Sequence, residues 1–87
     1  MEMFKQPDAL RLDGANLEDS WQRWRQKFDN FLKASGAMNK PDDVQLAILL
    51  HVIGDEALDI YNTFVFAESD KGKISPVFDK FEAYFFA

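Results

Sequence analysis

The stretch from Asn16 to Gly36 constrains the fold of this chain more than any other. Leu17, Trp21, Trp24, Phe28, Phe31 and Leu32 recur at spacings of three and four, which puts them in one apolar stripe on a helix and makes no sense on a strand. The ends are marked as well. Asn16 is a good N-cap, Glu18 and Asp19 sit in the first turn where the positive end of the helix dipole stabilises them, and Gly36 stops the helix as a C′ residue. A helix over 17–35 is therefore expected, its aromatic stripe belonging to a core and not to a ligand cage. Its other side, with Arg23, Arg25, Lys27 and Lys33, is basic. A solvated face is the ordinary reading of such charges, a subunit contact the sharper one.

Three more helices follow by the same logic. Pro41 with Asp42 and Asp43 opens a helix over about 41–53, since proline fits the first turn and the carboxylates suit the dipole. From Val44 to Ile53 it is apolar nearly all round apart from Gln45 and His51, so it is expected in the middle of a bundle. Gly54 closes it, and Asp55 caps a third helix over about 55–66 with Ala57, Leu58, Ile60, Tyr61, Phe64 and Val65 as its stripe. A polar loop, 67–73, leads to a fourth helix over about 75–86, capped by Ser75 and started by Pro76. Val77, Phe78, Phe81, Tyr84 and Phe85 are expected inward. Residues 1–15, with Pro7 and the Asp13-Gly14 pair, read as an extended arm. Its Phe4, Leu10 and Leu12 either pack on the chain's own core or flank a groove for a peptide or neighbour; composition does not choose. The expected fold is all-α, a compact four-helix domain with an extended N-terminal arm.

The 87 residues allow one domain and one core, and 47% hydrophobic content is enough to build it. Cysteine is absent, which excludes disulfides, thiolate metal sites and cysteine nucleophiles and is compatible with a cytoplasmic home. A net charge of -5 argues against direct nucleic-acid or anionic-membrane binding, both of which use an excess of Lys and Arg. The longest apolar run, Leu46 to Leu50, is too short to span a bilayer. Asp55, Glu56 and Asp59 place carboxylates on one helix face, but no second cluster accompanies them and they suit a helix start. His51 shares its face with Val44, Ala47 and Ile48 and is expected partly buried and hydrogen-bonded. The four glycines are scattered stops and turns, not a phosphate loop. No catalytic residue, cofactor site or metal site is assigned, and recognition of other proteins is what remains.

The order of the residues adds a resemblance. Phe4…Pro7…Leu10-Arg11-Leu12-Asp13-Gly14, then Trp21-Gln22-Arg23-Trp24-Arg25-Gln26-Lys27-Phe28 and Phe31-Leu32-Lys33-Ala34-Ser35-Gly36, resembles the start of the Gag polyprotein of gypsy-type LTR retrotransposons. The run from Asp43 to Ala57 is similar to the next two helices of that family, and Val77 to Tyr84 to the helix closing its first capsid lobe. The specificity lies in collinearity over nearly the whole chain, not in a short motif.

The resemblance implies the N-terminal lobe of a retroelement capsid, a structural domain that self-associates into the rings of a virus-like shell. Interfaces under about 1,200 Å² are typical of weak association, so a mainly monomeric fragment is expected. The assembly face would join Arg23, Lys27 and Lys33 of one copy to Asp42, Asp43 or Glu56 of the next. Domesticated, Arc-like Gag relatives imply the alternative, an adaptor binding linear hydrophobic peptides. Its groove would be built from Phe4, Leu10 and Leu12 of the arm, with Trp24 and Phe28 as floor. The Gln, Glu and Arg signature of the second capsid lobe and the cysteine-rich knuckle are absent, so dimerisation through that lobe and RNA packaging are expected to lie outside this stretch. The Phe85-Phe86-Ala87 end suggests a following lobe.

Overall fold

The computed structural model describes residues 5–86. Four α-helices, α1 (Leu17–Ser35), α2 (Asp42–Val52), α3 (Asp55–Tyr61) and α4 (Ile74–Phe85), form an all-α fold, with no strand among the described residues. Single 3-10 turns at Ala37–Asn39 and Glu68–Asp70 punctuate the connections.

Helix α1 has the expected bounds for the expected reasons. The Asn16 side chain accepts a hydrogen bond from the Asp19 amide, and Gly36 adopts φ 81°, the left-handed conformation that ends a helix and that only glycine enters cheaply. Its stripe buries Trp21, Trp24, Phe28 and Leu32. Across from it α4 buries Ile74, Val77, Phe78, Phe81 and Phe85. The two meet in an aromatic seam: the Trp21 ring lies 5.3 Å from Phe81 and 5.6 Å from Phe85, and Trp24 stacks on Phe28 at 5.3 Å. Such ring pairs add about 0.5–1.5 kcal/mol each beyond the area they bury.

A polar latch closes the same seam. Glu82 of α4 accepts from Trp21 Nε1 at 3.4 Å and from Arg25 at 3.0 Å, while the Arg25 guanidinium lies 3.6 Å above the Phe78 ring. Arg25 Nε stands 3.5 Å from Asp29, close enough for attraction but outside hydrogen-bond geometry.

Gln45, the polar residue inside the apolar run of α2, is buried and satisfied. Its side-chain amide donates to the carbonyls of Met38 at 3.1 Å and Lys40 at 2.9 Å, pinning the turn that links α1 to α2.

The structure departs from the sequence reading in four places. Helix α3 ends at Tyr61, not near residue 66, and Phe64-Val65-Phe66 runs on without helical structure, Val65 80% exposed and both phenylalanines half-buried. Phe64 packs edge-on against Phe81 at 5.1 Å. Helix α2 is covered on one side only: Gln45, Leu46, Leu49 and Val52 are buried, whereas Val44, Ala47 and His51 are exposed. A body measuring 41 × 34 × 18 Å is too thin to supply a covering layer on both sides. Tyr84 is 53% exposed, and in the same turn of α4 it is Phe85 that takes the inward position, against Trp21. The expected caps Asp55 and Ser75 both fall inside their helices, the N-cap positions going to Gly54 and Lys73.

Gly54 is the tightest point of the chain. At φ 97° and ψ 163° it occupies a region open essentially to glycine alone, and a Cβ there would stand 2.6 Å from the Ala9 Cβ of the arm. Gly36 also has positive φ, but a Cβ there would meet nothing within 4 Å. Gly36→Ala should therefore cost about 1 kcal/mol of backbone strain alone, and Gly54→Ala about 2–4 kcal/mol because overpacking is added. Urea unfolding of the two variants measures the difference; equal losses would show that the arm yields freely.

Candidate functional site

The arm residues expected to border a groove lie close to the expected floor, but they fill the space themselves. Leu10 is buried, and its amide donates to the Ile53 carbonyl at the end of α2 at 2.9 Å. Two residues earlier, the Asp8 carbonyl accepts from Trp24 Nε1 at 2.6 Å. These two bonds hold the arm across α1 and the α2–α3 corner. Trp24 and Phe28 are buried beneath it and Leu12 is half-buried, so Leu10, Leu12, Trp24 and Phe28 meet in an intramolecular contact; Phe4 lies outside the described residues. What stays open beside the arm is a pair of shallow clefts of about 250 Å³ and 240 Å³. Lys27 lines both, with Arg23 at the second.

The residues expected to form an assembly face are all exposed, but they do not make one patch. Arg23 and Lys27 flank the arm, and Arg23 is held by Asp19 one turn earlier at 3.0 Å. Lys33 faces a different cleft, shared with Asp29, Met38 and Ser75. Asp42 and Asp43 open α2 and Glu56 opens α3. No ion pair among the described residues joins Arg23, Lys27 or Lys33 to Asp42, Asp43 or Glu56.

The surface that the sequence reading missed is the outer side of α2. Val44, Ala47 and His51 are exposed there, with Ile48 and Leu50 half-buried at its edges. On one flank this side runs into a groove of about 360 Å³ between α1 and α2, walled by Phe31, Ala37, Ile48 and Val52. The walls are almost wholly apolar, unlike the charged clefts by the arm. The run Val44–Ile53, apolar nearly all round, was itself the signal, since a two-layer domain cannot hide every side of it. His51, expected partly buried, is exposed for the same reason.

Among the described residues no three His, Asp or Glu side chains come together to hold a metal ion, and no helix is long and apolar enough to cross a membrane. The carboxylates of Asp55, Glu56 and Asp59 are exposed in α3. Comparison with protein-family models, curated proteins and solved structures returned no match.

If the arm is an integral part of the core, deleting residues 1–13 should lower stability by about 3 kcal/mol or more, from the lost burial of Leu10 and the uncovered Trp24 indole. Thermal unfolding followed by circular dichroism checks this. Unchanged stability would return the arm to the role of a displaceable strap over a peptide groove. Trp24→Phe, which removes the indole donor and part of the buried ring volume, should cost about 1–3 kcal/mol in the same assay.

Proposed function

We propose that this chain is a structural, self-associating domain of the Gag capsid type, an N-terminal lobe that contributes weak contacts to a larger shell assembled in the cytoplasm. The observation that carries the reading is the uncovered side of α2, where Val44 and Ala47 are exposed while α1 buries its aromatic stripe. Contiguous apolar surface of this kind marks protein interaction. The collinear resemblance to Gag supports the same reading, as does the separation of Arg23 and Lys27 from Asp42, Asp43 and Glu56, which suits head-to-tail pairing of copies. The adaptor reading receives less support, because the arm occupies the space where a peptide would lie.

Weak contacts follow from the small faces and from the mutual repulsion of chains each carrying a net charge of -5. The isolated chain is expected to sediment as a monomer at about 10 µM and to associate reversibly toward about 1 mM. Arg23→Glu combined with Lys27→Glu should suppress part of that association by placing acid opposite acid. A tight dimer independent of concentration, or an activity of the monomer on a small substrate, would overturn the reading.

A further inference from the structure

The apolar groove between α1 and α2 lies on the course of the arm. Followed from Leu10 toward its start, the arm meets Ile53 through the Leu10 amide and Trp24 through the Asp8 carbonyl; Lys5 then shares a cleft with Lys27, and Gln6 lines the groove with Phe31 and Val52. Its neighbours on α1 thus advance from Trp24 to Phe31, while those at the end of α2 recede from Ile53 to Val52. The next turn on this course holds Ser35 on α1 and Ile48 on α2, each about 6 Å further along its helix, and both line the same groove. Two residues of extended chain span about 7 Å, and two residues before Gln6 stands Phe4. We infer that Phe4 is an anchor seated in this groove, so that the beginning of the chain's own arm is what fills it.

Chemistry and tethering select the same occupant. At about 360 Å³ the groove is larger than either cleft beside the arm, and no carboxylate, ammonium or guanidinium group is among the described residues that line it. Its floor is built from Phe31, Ala37, Ile48 and Val52, all buried or half-buried, and its rim from the exposed Val44, Ala47 and His51. A ring on that floor buries further apolar area and finds an aromatic partner in Phe31. Three of the four side chains in Met1-Glu2-Met3-Phe4 are apolar. Only Lys5 separates Phe4 from Gln6, so little chain has to be ordered for the ring to dock. The short tether also holds the ring near the groove at an effective concentration of about millimolar, which a separate peptide or a second molecule has to exceed. A ring on the floor takes the α1 flank of α2 and leaves Ala47, with Asp43 and Leu50 on the far flank, open to other contacts. The anchor therefore forms whether or not copies of the chain associate.

Nuclear magnetic resonance of the whole 87-residue chain, at a concentration where it sediments as a monomer, tests this. Nuclear Overhauser contacts are expected from the Phe4 ring to the methyl groups of Ile48 and Val52, and Phe4→Ser should shift those methyl resonances while circular dichroism stays that of the folded parent. A synthetic peptide of residues 1–8 should perturb Ile48 and Val52 of the Phe4→Ser chain at a concentration about tenfold or more below that needed with the parent, whose groove is already filled. Absence of the contacts together with methyl resonances untouched by Phe4→Ser would overturn the anchor, as would a peptide that acts equally on both chains. Contacts that arise only between labelled and unlabelled chains in a mixed sample would overturn it as well and give the groove to the arm of a neighbouring copy. Because the contacts are read on the monomer, a chain that never associates would overturn the self-association reading and leave the anchor standing.

Discussion

The fold hangs on the seam between α1 and α4. Trp21, 1% exposed, touches Phe78, Phe81 and Phe85, and its indole N–H reaches the carboxylate of Glu82, sixty-one residues away in sequence. Helix α4 could not sit elsewhere without abandoning the largest apolar surface in the chain. Once docked, it packs against α2 as well, and its Phe81 receives Phe64 from the segment after α3. The polar latch is secondary in energy but sharp in geometry. Glu82 and Arg25 are each about a third exposed, so their ion pair contributes little by itself. Its effect is to fix the register of two helices whose ring stacks alone would tolerate sliding.

The arm completes what the seam begins. One side of the Trp24 ring faces Phe28 within the core, while its N–H points outward to a backbone carbonyl that must be supplied by some other segment. Asp8 supplies it, and Leu10 then falls beside the end of α2. For this the corner between α2 and α3 must be bare, which is why glycine stands at residue 54 with a conformation that other residues avoid. A tryptophan on one helix, a glycine at a corner far along the chain and an otherwise featureless arm are thus one device.

The sequence made α1 legible down to its caps because stripe, cap and stop all agree there. The extent of α3 was not legible because two periods compete. Tyr61 and Phe64 continue the helical spacing, but Phe64-Val65-Phe66 also alternates, and the alternate reading wins: Val65 points to solvent between two phenylalanines that turn inward. Tyr84 keeps the spacing of Val77, one heptad earlier, yet it is exposed because inward is a direction only where a neighbour exists. The packing of the arm was not legible for a related reason. Aromatic residues beside an arm suggest a groove, and no one-dimensional pattern says whether the arm fills it. The outer side of α2 looked like core because hydrophobicity was read without asking how many layers eighty-seven residues provide.

That layer count decides what the domain can do. With α1 and α4 packed on each other, and α4 and the arm against α2, no further element among the described residues covers Val44 and Ala47. Replacing them by polar residues would hide the defect at no cost to the core, since neither is buried. Apolar residues left exposed side by side suit the protein contact proposed above. A weak contact is what that proposal calls for, because a side wide enough to bind tightly would make the free domain prone to precipitate before it met its partner.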